Sequence, residues 1–105
     1  MTAKNSFIHH VYFYLKNPSS SEDLQALLAG LEKLSKASSI RMFHIGKPAA
    51  TIRDVIQRSY AVSWMLIFEG PEGEAEYQVD PLHLNFVKTC DYLWEKVVIY
   101  DSVDA

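Results

Sequence analysis

The segment YQVDPLH places a tyrosine and a histidine six residues apart, at Tyr77 and His83. A neutral imidazole can remove a proton from a weak acid, and a neutral phenol can donate a hydrogen bond to the oxyanion that forms. On one unbroken helix, six residues turn the chain by about 600°, so the two side chains face different directions. The pair can therefore serve one ligand only if the chain changes direction between them.

The dipeptide Asp80-Pro81 predicts such a change of direction. Aspartate is a favourable N-cap, proline suits the first turn of a helix, and a residue before proline avoids helical dihedral angles. We therefore expect Tyr77 to end one helix and His83 to lie in the first turn of the next. The positive end of that helix disfavours imidazolium and keeps His83 neutral. In the alternative interpretation, Tyr77 only packs in the core and His83 is a surface residue.

A third candidate is His9, which alternates with apolar residues along a predicted strand. It is either a hydrogen-bonded core histidine or a member of the site. The neighbouring His10 points to the opposite face of that strand, and His44 has no partner that the sequence identifies. No HxH, HExxH or CxxC spacing is present, so no metal site is predicted. Cys90 lies at helical spacing from apolar residues, so it is expected to pack in the core rather than to act as a nucleophile.

The predicted order of the elements that carry these residues is β-α-β-β-α-β. Aromatic and β-branched residues predict strands at 7–16, 40–45, 60–69 and 96–102. Leucines at helical intervals predict a helix that begins with a capping box of Ser19 and Glu22 and ends near 37–39. Further helices are predicted at about 73–78 and from the Asp-Pro dipeptide onward. Residues 70–73 are predicted to form a loop or a helix entry, GPEGE is predicted to be a solvated turn, and 49–59 has no predicted structure. With right-handed crossovers, this order gives a ferredoxin-like α+β fold, in which a four-stranded antiparallel sheet has its helices on one face.

Both faces of the predicted sheet are largely apolar. On the first strand, one face carries Phe7, His9, Val11, Phe13 and Leu15, and the other carries Ile8, His10, Tyr12 and Tyr14. The helices can cover only one face, and soluble monomers avoid an exposed apolar patch of several hundred Å². We therefore expect the second face to pack on the same sheet of another chain, in a homodimer that forms a dimeric α/β barrel.

The composition is typical of a small globular protein rather than of a nucleic-acid or membrane binder. The chain has 105 residues, of which 49% are apolar and 22% charged, and its formal net charge is −3. This length predicts one domain over residues 1–105. The lysines and arginines form no basic stripe, no apolar run is long enough to span a bilayer, and the amino terminus lacks a signal-peptide pattern. A single cysteine excludes an intramolecular disulfide, so a cytoplasmic location is expected.

Several motifs together resemble the stress-responsive dimeric α/β-barrel family, called Dabb. They are HHVYFYLK from His9, the pair Gly46-Lys47, the strand YAVSWMLIFE, the segment YQVDPLHLNFV and the closing LWEKVVIYD. The resemblance covers nearly the whole chain and implies a ferredoxin-like fold with sheets paired in a dimer. Similarity to cofactor-free polyketide cyclases of the family implies His9, Tyr77 and His83 as site residues. Many relatives have a histidine where this chain has Asp80, whose carboxylate is expected to raise the pKa of His83.

The residues and the resemblance lead to three functional hypotheses. In the first, the chain is a homodimeric protein of uncertain role that binds a small apolar carbonyl-containing ligand, without a cofactor, in a pocket lined by histidine and tyrosine. In the second, it is a cofactor-free cyclase for aldol-type ring closure. His83 removes an α-proton, Tyr77 donates a hydrogen bond to the developing enolate or phenolate, and His9 orients the substrate or passes the proton. In the third, it is a haem- or oxygen-dependent enzyme similar to monooxygenases, with a histidine as axial ligand.

Overall fold

The elements of the structure follow the predicted order. The computed structural model describes residues 4–105. Its elements are β1 (Phe7–Leu15), α1 (Ser21–Leu34), β2 (Met42–Gly46), β3 (Val62–Phe68), α2 (Pro71–Gln78), α3 (Pro81–Cys90), a 3₁₀ turn (Asp91–Leu93) and β4 (Trp94–Val103). All strand pairs are antiparallel, and the strands lie in the order β2-β3-β1-β4. This arrangement is a ferredoxin-like βαββαβ fold, which confirms the predicted fold class.

One face of the sheet, the inner face, packs against the helices and forms the hydrophobic core. Every second residue of β1 from His9 to Leu15 points to this face and is at most 6% exposed. The α1 helix buries three leucines whose spacing places them on one side of the helix: Leu27, Leu31 and Leu34. From α3, the ring of Phe86 meets that of Phe13 with 6.0 Å between the ring centroids. His9 therefore projects toward the helices rather than away from them.

The α1 helix starts with a different cap, and ends earlier, than the sequence predicts. Its N-cap is Ser20, whose hydroxyl accepts a hydrogen bond from the backbone N–H of Asp23 at 3.1 Å. The predicted capping box of Ser19 and Glu22 is therefore wrong by one residue. The helix ends at Leu34 rather than near 37–39. The N–H of Ser35 still bonds four residues back, to Leu31, but those of Lys36 and Ala37 bond three residues back, as in a turn. Within residues 4–105, every helix is too short or too polar to cross a membrane.

The strand boundaries differ from the predicted ones by one or two residues. β1 ends one residue early, and β2 starts at Met42 rather than at Ile40, whose N–H bonds to a carbonyl of the preceding turn. β3 starts two residues later and ends one residue earlier than predicted. β4 starts two residues earlier and ends one residue later than predicted. The connection 47–61 contains neither helix nor strand, which agrees with the lack of a periodic pattern there.

The α2 helix begins at Gly70 and Pro71, earlier than predicted. Gly70 is the N-cap with a φ of 142°, a value that favours glycine, and Pro71 occupies the first helical turn. The helix entry predicted as one alternative for 70–73 is confirmed. The predicted solvated turn GPEGE is wrong, because residues 71–74 already belong to α2, and the helix starts two residues before the predicted 73. Glu72 and Glu74 lie in the first turn, where negative charge complements the positive end of the helix.

The opposite face of the sheet, the outer face, carries aliphatic, aromatic and histidine side chains. On β1 it presents four half-buried residues: Ile8, His10, Tyr12 and Tyr14. On the neighbouring strands, Met42 and Tyr100 are 58% and 66% exposed. The register of the strand pairs places both of them on this face. The outer face is thus largely apolar, as the alternation in the sequence predicts.

Candidate functional site

The chain turns between α2 and α3, as the Asp-Pro dipeptide predicts. The α2 helix ends at Gln78, and Asp80 is the N-cap of α3, where its carboxylate accepts the backbone N–H of Leu82 at 2.8 Å. Tyr77 lies at the end of α2 and His83 in the first turn of α3, and their ring centroids are 4.6 Å apart. The turn therefore brings together two side chains that a continuous helix would separate.

Tyr77 is a buried phenol whose hydroxyl oxygen has a partner. The residue is 2% exposed, and its ring packs against Phe68 with 5.2 Å between the centroids. The indole N–H of Trp64 donates a hydrogen bond to the Tyr77 hydroxyl oxygen over 3.2 Å. Burial raises the pKa of Tyr77 to about 12, although the Trp64 hydrogen bond acts in the other direction. The phenol is therefore neutral near pH 7 and keeps its own proton for donation to a ligand.

His83 is held in the tautomer that suits a base. Its Nδ1 lies 3.2 Å from the backbone carbonyl oxygen of Gln78. Because a carbonyl oxygen only accepts, Nδ1 carries the proton of the neutral ring and Nε2 carries the lone pair. Burial lowers the pKa of His83 and outweighs the opposing effects of the Gln78 carbonyl and of the Asp80 and Glu74 carboxylates. His83 is therefore a neutral imidazole with a free basic nitrogen near pH 7.

His9 reaches the same region from the inner face of the sheet. It is 5% exposed, and its ring centroid lies 6.1 Å from that of Tyr77. Its Nδ1 is 2.6 Å from Oδ1 of Asp101, which lies opposite His9 in the pairing of β1 with β4. The carboxylate accepts the Nδ1 proton and fixes the orientation of the ring, as in other carboxylate–histidine pairs.

Asp101 was not predicted as a site residue from the sequence. Cross-strand neighbours share a face of a sheet, so Asp101 can be found only by pairing β4 with β1 in the correct register. β4 carries three charged residues, Glu95, Lys96 and Asp101, so its local sequence does not single out this carboxylate. Its position opposite a buried histidine lets the carboxylate orient the His9 ring.

The three predicted site residues form an array in which Tyr77 lies between His9 and His83. The Asp101 side chain is 44% exposed and Ile99, on the same face of β4, is 47% exposed. The helices thus leave this part of the inner face uncovered, and the half-buried His83 adds a second accessible group. The array combines a neutral base, a neutral hydrogen-bond donor and an oriented imidazole, a set suited to general acid–base chemistry.

The other histidines and the cysteine lie outside the array. His10 points to the outer face, where its Nε2 lies 2.8 Å from the Ser63 hydroxyl oxygen. Burial lowers the pKa of His10, and the neighbouring His44 and His9 add to this effect. Cys90 is 7% exposed within the core, as predicted. Among residues 4–105, no three histidine, cysteine or carboxylate side chains are grouped so as to hold a metal ion.

Comparison with known proteins agrees with the fold. The family profile described as Stress responsive A/B Barrel Domain (Dabb) matches residues 7–104. A Dabb family protein with a ferredoxin-like fold from Mesorhizobium loti is 24% identical, with a TM-score of 0.78 over 95% of this chain and 97% of that chain. A dimeric ferredoxin-like protein of unknown function from Thermobifida fusca is 15% identical, with a TM-score of 0.77 over 94% and 91%.

An enzyme is also among the similar structures. A hydroxynitrile lyase from Passiflora edulis is 17% identical, with a TM-score of 0.76 over 95% of this chain and 94% of that chain. At such low identity, the similarity shows a common fold alone. No curated protein sequence matches the chain significantly.

Proposed function

The chain belongs to the Dabb family of stress-responsive α/β-barrel domains, and from this premise we propose that it binds a small, mostly apolar carbonyl compound and moves a proton on it without a cofactor. The His9–Tyr77–His83 array is the proposed site. The observation that carries the proposal is the hydrogen bond from His83 Nδ1 to the Gln78 carbonyl. It leaves Nε2 basic, beside a phenol that stays protonated, and enolisation of a carbonyl compound needs this combination.

Aldol-type ring closure of a poly-β-keto compound is the reaction that suits these groups. His83 Nε2 takes a proton from the carbon between two carbonyl groups, and the electron pair of that C–H bond forms an enolate. Tyr77 donates a hydrogen bond to the enolate oxygen, while His9, whose Nδ1 proton is held by Asp101, presents Nε2 as an acceptor to an enol hydroxyl of the substrate. The enolate carbon then attacks a carbonyl carbon further along the chain, a C–C bond forms, and the imidazolium returns its proton to the new alkoxide.

The expected rate enhancement limits the substrate class. A positioned base contributes about 10²–10⁴-fold, and one oxyanion donor contributes about 10²–10³-fold. Such factors suffice for a substrate whose α-proton is already acidic. They do not suffice for hydrolysis of an unactivated amide or ester, so a β-dicarbonyl compound is the appropriate class.

The homodimer is the second part of the proposal. The outer face is not covered by helices, and it exposes Met42 and Tyr100 beside half-buried aromatic residues. Packing of this face on its copy in a second chain buries these side chains, and the Thermobifida fusca protein of the same fold is dimeric. Sedimentation equilibrium of the intact protein tests this pairing, and a monomer at tens of micromolar concentration contradicts it.

A role in binding without turnover is the second candidate function. It is favoured by the burial of Tyr77, which is 2% exposed and has its hydroxyl oxygen occupied by the Trp64 N–H. In that case the array only orients a ligand, and the ligand is recovered unchanged. The haem hypothesis is separate from both and is rejected if protein purified from a haem-replete host has no Soret absorbance.

The deciding experiment follows the conversion of two probes by wild-type protein and by His83→Ala. The first probe is a 3,5-diketo ester. The second is an aromatic cyanohydrin, chosen because a hydroxynitrile lyase shares the fold; with it, the base takes the hydroxyl proton, the bond to cyanide breaks, and a carbonyl compound and hydrogen cyanide form. Wild type is expected to convert at least one probe, and His83→Ala to lower kcat by about 10²–10⁴-fold.

The control and the pH profile make this test specific. His44→Ala removes a histidine outside the array and is expected to keep the wild-type rate. Because burial lowers the pKa of His83, its basic form persists below the ordinary range of histidine, and activity falls only as the pH drops through that lowered value. The pKa of Tyr77 of about 12 gives no alkaline loss near pH 9. Equal rates for wild type and His83→Ala refute the role of His83, whereas binding without conversion supports the second candidate.

A further inference from the structure

Two histidines lie in one row across the outer face of the sheet. His10 on β1 and His44 on β2 both pair with Met65 of β3, which lies between them. Because neighbouring strands are about 4.8 Å apart, the backbones of the two histidines are separated by about 10 Å. Neither residue belongs to the array on the inner face.

His10 is held by hydroxyl groups rather than by a carboxylate. Its Nε2 lies 2.8 Å from the Ser63 hydroxyl oxygen, and its Nδ1 lies 3.3 Å from that of Tyr12. The rings of His10 and Tyr12 stack with 4.4 Å between their centroids. Burial lowers the pKa of His10, and the neighbouring His44 and His9 lower it further. The imidazolium form of His10 is therefore disfavoured already in one chain.

No carboxylate faces the two histidines from the described strands. Besides the histidines, the register gives the outer face these polar or titratable side chains: Tyr12, Tyr14, Ser63, Lys96, Tyr100 and Ser102. The connection 47–61 adds Tyr60, which packs on Tyr12. Glu95 lies at the register shift of β4, distant from Tyr100, the residue that pairs with His10. Protonation of either histidine thus adds a positive charge that has no acidic partner on this face.

A two-fold dimer places the outer face against its own copy. Each chain contributes the same surface to such an interface, so the partner adds no carboxylate that the first chain lacks. Packing removes further water from both histidines, and a buried charge without a partner is unfavourable. Neutral imidazoles, in contrast, pack among the methionine, tyrosine and aliphatic side chains of this face. The dimer therefore favours neutral histidines, whereas a separated chain keeps water around the charge.

We propose that the outer-face dimer dissociates in mildly acidic solution and that His10 and His44 are the groups that take up the protons. This inference rests on the homodimer proposed above and adds its regulation. A histidine whose pKa is lower in the dimer than in the free chain favours association above the free-chain pKa. That contribution is lost as the pH falls through the free-chain value. The chain is then a dimer at about pH 7.5 and a folded monomer at about pH 5.5.

The size of the effect follows from the reference pKa of histidine. A histidine that titrates at about 6.5 in the free chain and stays neutral in the dimer weakens association by about 10-fold between about pH 7.5 and about pH 5.5. Each site occurs twice in the dimer, so one histidine contributes about 10²-fold and two contribute at most about 10⁴-fold. Burial lowers the pKa of His10 even in the free chain, which makes its share smaller. We expect a total of about 10²–10³-fold.

Sedimentation velocity of fluorescently labelled protein measures the dimer dissociation constant at both pH values and at one ionic strength. Wild type is expected to lose affinity at the lower pH while its circular dichroism spectrum stays unchanged. His10→Gln and His44→Gln each retain a polar side chain that does not titrate, and each is expected to show a smaller pH effect. In the double variant, the dissociation constant is expected to change by less than about 3-fold.

Two further variants test the assignment to these histidines. His83→Gln removes a half-buried histidine of the inner face and is the matched control, with the same pH effect as wild type. His44→Lys carries a positive charge at both pH values, at a position that is exposed in one chain. It is expected to weaken the dimer by about 10-fold or more already at about pH 7.5.

The outcomes that overturn this proposal differ from those that overturn the homodimer. Equal dissociation constants at both pH values overturn the pH response alone, whereas a monomer at both pH values overturns the homodimer as well. Loss of the circular dichroism spectrum at the lower pH shows unfolding in place of dissociation and also overturns the proposal. So does an unchanged pH effect in the double variant or, where that variant does not associate, in both single variants. Wild-type affinity of His44→Lys at the higher pH refutes the role of His44.

Discussion

Replacing Tyr77 with phenylalanine is expected to lower the free energy of unfolding near neutral pH. It is also expected to remove part of the further loss of stability that occurs at alkaline pH. The Tyr77 hydroxyl accepts the indole N–H of Trp64 at 3.2 Å, and these residues are 2% and 1% exposed. In Tyr77→Phe, that buried N–H has no acceptor. The expected loss in the free energy of unfolding is about 1–3 kcal/mol, the cost of leaving one buried donor unpaired.

The alkaline effect follows from the pKa of the same phenol. Burial raises the pKa of Tyr77 from 10.0 to about 12. The folded state therefore holds the proton more tightly than the unfolded state does, and this stability is fully present below the unfolded pKa. It is lost as the pH rises from 10.0 through about 12, at about 1.4 kcal/mol per pH unit and about 2.7 kcal/mol in total. Phenylalanine has no proton to lose.

Urea unfolding of wild type and Tyr77→Phe, at about pH 8 and about pH 11, measures both effects at one fixed protein concentration. The difference between the two proteins is expected to be about 1–3 kcal/mol at the lower pH and to shrink by about 1.4 kcal/mol at the higher. The other tyrosines and the lysines titrate in both proteins and cancel. Tyr92→Phe, at a residue that is 60% exposed, is the matched control. Its free energy of unfolding is expected to differ little from that of wild type, by the same amount at both pH values.

Two outcomes contradict this reasoning in different ways. A difference that is the same at both pH values shows that the phenol ionises normally, and it refutes the buried position of Tyr77 in the array. No difference near pH 8 shows instead that the Trp64 hydrogen bond contributes nothing to stability. In that case the hydroxyl oxygen has no fixed partner, and its orientation toward a ligand loses its support.

Two further predictions concern packing and the turn before α3. Gly30→Ala is expected to lower the free energy of unfolding by about 1–3 kcal/mol, because the new Cβ lies 2.6 Å from Cys90 Sγ and 3.2 Å from Phe86. The double variant with Cys90→Ala is expected to recover part of the clash energy, and a fully stable Gly30→Ala contradicts the close packing of α1 on α3. Asp80→Ala removes the acceptor of the Leu82 N–H. It is expected to lower the free energy of unfolding by about 1 kcal/mol, as measured by thermal unfolding. Asp80→Ser retains a cap and most of the stability, so equal losses in both variants argue against capping as the cause.

The features predicted correctly from the sequence are those that local chemistry determines. Alternation in β1 assigns His9 and His10 to opposite faces, because successive side chains of a strand point in opposite directions. The Asp80-Pro81 dipeptide predicts the turn, since a good cap and a fixed proline dihedral angle act within a few residues. The convergence of Tyr77 with His83 follows from that turn.

The features that were missed depend on contacts between distant segments. Asp101 lies opposite His9 only because β4 pairs with β1 in one register, which the sequence of β4 does not specify. The end of α1 at Leu34 depends on where the chain must turn to reach β2, and helix propensity does not determine it. The partner of the Tyr77 hydroxyl is likewise a residue of β3, Trp64, and no spacing in the sequence connects the two.

The carboxylate of Asp80 influences the strength of the proposed base as well as the start of its helix. It caps the Leu82 N–H, and it raises the pKa of His83 while burial lowers it. In Asp80→His, the negative charge is absent and the pKa of His83 falls further. A base with a higher pKa removes a given α-proton faster as long as it stays unprotonated. The Asp80 side chain therefore keeps His83 more basic than burial alone allows, while the net lowering still leaves it neutral near pH 7.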